Sequence, residues 1–123
     1  MLYLMRDSRG SRTLIKVGKA KDVTKRMAAY KTHNPLARLL ETAVCKDGKD
    51  DMYEHFCHNY FELKGYTQIG DTEWYLVPKK TKNYHFEDIE KELFEKGWMF
   101  TEIAKYKKNP KSKSRCAKLL DTF

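Results

Sequence analysis

The sequence predicts an α+β domain: a small three-stranded antiparallel sheet flanked by helices, followed by a C-terminal helix and a basic tail. Three observations predict it. Two short runs suited to strands near the start are separated by a polar turn that contains glycine. Apolar residues then recur at helical spacing in three stretches. Beyond residue 104 the apolar pattern stops and positive charge accumulates. The domain is therefore drawn over residues 1–104 and the tail over 105–123.

The elements follow in order. Leu2-Tyr3-Leu4-Met5 is an apolar run and reads as the first strand. Asp7 to Arg12 is a polar turn around Gly10, and Thr13 to Val17, rich in β-branched residues, is the second strand. The two are expected to pair as an antiparallel hairpin. Side chains alternate along a strand, so Tyr3 shares a face with Met1 and Met5. Gly18 is expected to end the second strand. Asp22 suits an N-cap, and Val23, Met27 and Tyr30 at i, i+4 and i+7 form one apolar helical stripe bordered by Arg26. Pro35 is expected to stop this helix, with Thr32-His33-Asn34 as its exit.

Leu40, Thr42 and Val44 alternate with Glu41, Ala43 and Cys45 in a third strand, and Lys46 to Lys49 make a turn. Asp50 or Asp51 can cap the next helix, whose wide stripe comprises Tyr53, Phe56, Cys57, Tyr60, Phe61 and Leu63. Gly65 stops it. Tyr66 to Asp71 reads as a loop, and Glu73 to Val77 as a short aromatic strand closed by Pro78. Phe86, Ile89 and Leu93 mark a third helix with an acidic outer face, closed by Gly97. Trp98-Met99-Phe100 is expected to pack back on the domain. Lys105 to Ser114 shows no apolar pattern and reads as a mobile tail, with a terminal helical turn over Cys116 to Leu120.

A chain of 123 residues suits one domain, and a hydrophobic content of 41% supports a small core. The formal net charge of +8 points to a polyanionic partner, nucleic acid before a membrane surface. The charge is uneven: residues 105–123 carry +6 and the first 104 carry +2. Three widely spaced cysteines, Cys45, Cys57 and Cys116, make a poor disulfide framework and read as free thiols of a reducing compartment. No run approaches the roughly 20 apolar residues that span a bilayer, and Met1 to Asp7 lacks a signal-peptide pattern. A soluble, cytoplasmic protein is expected.

Ile15 to Tyr30 carries the first chemical signal. A strand end, a glycine and an amphipathic helix place Lys19 at the junction and Arg26 and Tyr30 on one helix face. A cation, a guanidinium and a phenol beside one glycine suggest a phosphate site. Tyr3 in the first strand, Lys16-Val17-Gly18 ending the second, Arg26 on one helix and Glu54 on the next stand in the order of the GIY-YIG nuclease superfamily, which the first 77 residues resemble. Gly18-Lys19-Ala20 through Arg26 and Tyr30 is similar to the incision domain of the bacterial excision-repair nuclease. Glu54, His58 and Phe61, then Glu73-Trp74-Tyr75, resemble a phage and mobile-element branch ending in Glu-Trp-Phe. The chain departs from the pattern twice: the glycine of the first motif is missing, and Lys16 replaces a tyrosine of the second.

The resemblance implies a DNA endonuclease that uses Mg²⁺ or Mn²⁺. Phosphodiester cleavage needs an activated nucleophile, charge neutralisation, leaving-group help and in-line positioning. Glu54 is the candidate metal carboxylate, the remaining ligands being waters and phosphate oxygens. Arg26 offers a planar fork to a phosphate oxygen. Tyr3 is the candidate proton acceptor or relay, with Lys19 and Lys16 as the positive charges that a phenol of ordinary pKa about 10 requires. Tyr30 orients the water or the phosphate. Lys16 and Gly18, with tail residues Lys105, Lys107, Lys108, Lys111, Lys113 and Arg115, are expected to contact DNA.

Other readings stand beside these. Tyr3 and Arg26 suit an ordinary strand position and a solvated helix charge. Glu54 and His58 suit a surface i, i+4 pair, and His58 either a metal ligand or a hydrogen-bonding neighbour. Trp74 and Tyr75 suit the core, and Glu73 a supporting contact to Arg26 or Lys19. Cys57, His55 and His58 have poor zinc spacing and no fourth ligand. The same fold with impaired chemistry, binding DNA or a protein partner, is the alternative function. A protein-directed inhibitor is a third.

Overall fold

A computed structural model describes residues 1–33 and 37–106. Strands β1 (Leu2–Arg9) and β2 (Arg12–Lys19) form an antiparallel hairpin. Helix α1 (Val23–His33), β3 (Arg38–Cys45), α2 (Asp50–Leu63), β4 (Thr67–Gln68), β5 (Trp74–Leu76), α3 (Phe86–Glu95) and β6 (Phe100–Lys105) follow.

The fold is α+β, but the sheet has six antiparallel strands in the order β4-β5-β2-β1-β3-β6, not three. The three strands expected to form the sheet are its centre, and the short aromatic strand expected over Glu73 to Val77 is β5. β5 and the two-residue β4 extend it beyond β2, and β6 extends it beyond β3. The physical reason lies in the backbone: a bare sheet edge presents unpaired N–H and C=O groups, and almost any sequence can satisfy them. β4 is wholly exposed, and β6 buries only Phe100 fully, so neither shows a strand pattern. The helix over residues 86–95 therefore precedes the last described strand rather than ending the fold.

Pairing also lengthens the hairpin. Arg6 to Arg9 pair with Ile15 to Arg12, which narrows the turn to Gly10-Ser11. Gly18 lies inside β2, opposite Tyr3, instead of ending the strand.

The period of two separates two apolar layers. Leu2, Leu4, Ile15, Val17, Ala43 and Cys45 face α2 and α3, where they meet Tyr53, Cys57, Phe61, Phe86, Ile89 and Leu93. Tyr3, Met5 and Leu39 lie on the other face under Val23 and Met27 of α1. Burial of this kind stabilises by roughly 25 cal/mol per Å² of apolar surface, and it fixes α1 and α2 on opposite sides of one sheet. Trp98 stacks on Tyr53 at 5.5 Å, and Phe100 meets Phe86 edge-on at 5.2 Å, so this segment packs back as expected.

The helix ends follow local rules. Asp22 Oδ1 accepts the Lys25 N–H at 3.0 Å, as an N-cap does. On α2 the N-cap is Lys49, with Asp50 and Asp51 inside the first turn, where negative charge still complements the helix dipole. Gly65, at φ +85°, closes α2: its N–H reaches the Glu62 carbonyl, and the Tyr66 N–H reaches that of Phe61. Cys45 and Cys57 are buried free thiols. Among the described residues no helix is long and apolar enough to cross a membrane. Lys107, Lys108, Lys111, Lys113, Arg115, Cys116 to Leu120, Asn34 and Pro35 lie outside the described residues.

Candidate active site

Tyr3 and Gly18 are register partners across β1 and β2, with side-chain positions on the α1 face. The phenol ring lies directly over the glycine. A Cβ at position 18 would sit 2.5 Å from the Tyr3 hydroxyl oxygen and 2.6 Å from Cζ, closer than real contacts allow. Gly18 has no positive φ, so its requirement is steric: it gives the ring a floor. Tyr3 is 1% exposed, and Tyr30 of α1 meets its ring edge-on at 6.3 Å.

Lys16, two residues earlier on β2, shares this face. Its ammonium donates to the Tyr30 hydroxyl and lies 4.4 Å from the centre of the Tyr30 ring. Glu73 Oε2 stands 3.6 Å from Lys16 Nζ, an ion pair slightly too long for a hydrogen bond. The ladder explains it: Lys16 pairs with Trp74, which brings Glu73 to the end of β5 beside the lysine. The pairing of β2 with β5 ends at Lys16. At Val17, His58 Nε2 of α2 takes the carbonyl at 2.9 Å, and His58 tilts against Tyr75 at 5.7 Å. His58 is thus the hydrogen-bonding neighbour that ties α2 to the strand.

That contact sets Glu54, one turn earlier on α2, at the edge of the same cluster. Burial raises the Glu54 carboxyl above its ordinary 4.5, and the charge of Glu73 adds to the rise. His58, Lys19 and Lys16 pull the other way. Burial likewise lifts the Tyr3 phenol from 10.0 to about 12. The nearby Arg26 guanidinium opposes that rise, while Glu73 and Glu54 reinforce it. Burial lowers the Lys16 ammonium, and the Glu73 charge partly restores it. Tyr3, Lys16, Gly18 and Tyr30 therefore meet in one place, with Arg26 and Glu54 within electrostatic reach of Tyr3.

Two predicted residues take other positions. Lys19 points to the α2 face and pairs with Asp51, so the cation beside Tyr3 is Arg26. It remains close enough to lower the Glu54 carboxyl. Lys105 ends β6 at the far edge of the sheet, paired with Glu87 at 3.1 Å, and is not tail. Glu73 is the site residue whose role the sequence left open. It contacts Lys16, rather than Arg26 or Lys19, because the β2–β5 register decides its neighbour, and no sequence pattern carries that register.

Among the described residues no group of three or more His, Cys, Asp or Glu side chains could hold a metal ion. Cys57 is fully buried and His55 exposed, so they do not converge. The carboxylates here are Glu54 and, within electrostatic reach, Glu73. This donor set is too small to enclose a cation. It fits one that keeps most of its waters, the habit of Mg²⁺.

Comparison of the chain with protein-family models, with curated proteins and with solved structures found no significant match.

Proposed function

We propose that the protein is a metal-dependent endonuclease of the GIY-YIG type that hydrolyses DNA phosphodiester bonds. One observation carries the reading: the Tyr3 phenol lies over a glycine with no room for a side chain and against Tyr30, which Lys16 holds, with the charges of Arg26 and Glu54 close enough to act on that phenol. The +8 net charge supports a polyanionic substrate.

The residues divide the work. Arg26 is exposed, and its fork can take a non-bridging phosphate oxygen while its charge acts on the Tyr3 hydroxyl. Tyr3, lifted to about 12, rests protonated and orients the attacking water by a hydrogen bond. For Tyr3 to act as base its own proton must leave first, which Arg26 favours and burial opposes. Lys16 holds the Tyr30 hydroxyl, and Glu73 steadies the lysine. Glu54 is the carboxylate for Mg²⁺ or Mn²⁺, which when bound would stabilise negative charge on the phosphate and the leaving oxygen.

Plasmid nicking with Mg²⁺, with EDTA, and with Glu54→Ala or Arg26→Ala tests this. Nicking is expected with Mg²⁺ alone, and either variant should lose at least about a hundredfold, the scale of one transition-state contact, with an unchanged circular dichroism spectrum. Variants that nick as well as the parent exclude this centre. A second reading, a DNA- or protein-binding module with impaired chemistry, is favoured by the commitment of Lys16 to Tyr30 and Glu73. It predicts metal-independent DNA binding and no nicking in either metal.

A further inference from the structure

A second basic concavity lies at the other end of the hairpin. It encloses about 450 Å³, within the range of small-molecule sites. Arg6 of β1, Arg12 of β2, Lys79, Lys80 and Lys82 of the loop after β5, and His85 before α3 contribute to its wall, and no Asp or Glu does. Arg12 belongs there structurally, since its Nη2 donates to the Val77 carbonyl at 3.2 Å. One such bond leaves the rest of its five-donor fork available.

The concavity is separate from the candidate active site. Thr13 in its wall is three residues from Lys16 along β2, about 10 Å at the strand rise. The wall also includes Leu40, and Thr13, Val77 and Tyr84 continue the layer that packs on α2 and α3, opposite α1. His85 is biased toward its charged form for a reason that does not involve a ligand. Glu41 Oε2 stands 3.2 Å from His85 Nδ1, without the alignment of a hydrogen bond, and raises its affinity for a proton. The other Glu41 oxygen is taken by the Phe86 N–H at 2.8 Å. The carboxylate behind the wall is thus occupied, and the cationic side chains in front face the cavity without an acid among them.

We infer that this concavity binds a compact anion with clustered phosphoryl charge, such as a polyphosphate chain or the di- or triphosphate of a nucleotide. Cations from three chain segments, β1, β2 and the loop between β5 and α3, converge on one hollow. A nucleic-acid backbone would instead call for a track of cations along an extended groove.

The test uses the full chain, titrated with sodium tripolyphosphate and, separately, with a single-stranded oligonucleotide, while backbone NMR resonances of Arg6, Thr13 and His85 are followed. Tripolyphosphate should move all three saturably. Affinity should fall about tenfold or more in Arg6→Gln/Arg12→Gln/Lys82→Gln, the sum of several modest charge contacts, and stay unchanged in Glu54→Ala. Lys80→Gly/Lys82→Gln serves if the triple variant does not fold, because Lys80 sits at φ +63°, where glycine is at ease. No movement, or equal affinity in the charge variants, overturns the proposal. So does movement produced more tightly by the oligonucleotide than by tripolyphosphate, which would assign the hollow to a nucleic-acid backbone. None of these outcomes depends on whether the chain nicks DNA.

Discussion

Gly18 and Tyr3 form the tightest constraint at the residue scale. The ring of Tyr3 needs the space that a methyl group at position 18 would fill. Tyr3 is nearly fully buried, so the ring cannot swing aside freely. Gly18→Ala is therefore expected to cost about 1–3 kcal/mol, the range of overpacked cores. If the nuclease reading holds, it also displaces the Tyr3 hydroxyl from Arg26. Chemical denaturation checks the first effect and nicking the second; a variant as stable and active as the parent refutes the contact. Helix period put Arg26 and Tyr30 on one face in the sequence, whereas Tyr3 and Glu54 were singled out only by the resemblance. Sequence reasoning assigned Lys19 to Tyr3 because adjacency to Gly18 resembled proximity. On β2, Lys19 has the opposite parity to Lys16 and Gly18, and parity sends it to Asp51.

At the scale of elements, α3 depends on a buried carboxylate from another strand. Glu41 of β3 is 1% exposed, accepts the first helical N–H of α3, and faces His85. The contact with Glu41 raises the His85 pKa above 6.5 against the opposing effect of burial, with Asp88 adding to the rise and Lys105 reducing it. A histidine whose folded pKa is raised contributes stability that is complete below 6.5 and disappears as pH climbs through the raised value. Thermal melts should therefore decline from mildly acidic pH through the neutral range. His85→Gln should flatten that decline; an identical slope in the variant would remove His85 as its source. The period-3.6 stripe made Phe86, Ile89 and Leu93 readable. Alternation along the third strand put Glu41 on one face with Ala43 and Cys45 without showing which face is buried. The β-bulge where the β1–β3 pairing shifts, between Leu4 and Met5, puts Leu4 opposite Glu41 and Met5 opposite Leu39, so side-chain parity shifts along β3.

For the whole molecule, charge and topology are separate matters. Among residues 107–123 six cations stand against Asp121. On the proposed nuclease reading, DNA affinity should depend steeply on salt, with a slope of roughly 0.7 to 0.9 for each phosphate contact. Truncation after Tyr106 is expected to lower that slope by several units. Lys105 stays with Glu87 in β6, so the truncation leaves the sheet whole. Binding measured at several salt concentrations decides this, and an unchanged slope would show that the tail does not touch DNA. The six-stranded sheet has the same logic: its centre carries the apolar pattern, and its margins are held by backbone pairing.

The sequence by itself determined the α+β class, the three central strands and the short aromatic strand β5, the three helices with glycine stops on the second and third, and the placement of charge. These depend on short-range periodicity and on residues with special backbone or capping behaviour. Only the tertiary structure decided that β4 and β6 are strands at all, that β5 joins the sheet beside β2, that Glu73 meets Lys16, that Glu41 caps α3, and that six basic residues share one hollow. Each of these results from strand register or chain crossing. Such contacts join residues far apart in sequence through backbone hydrogen bonds that are nearly blind to side-chain identity.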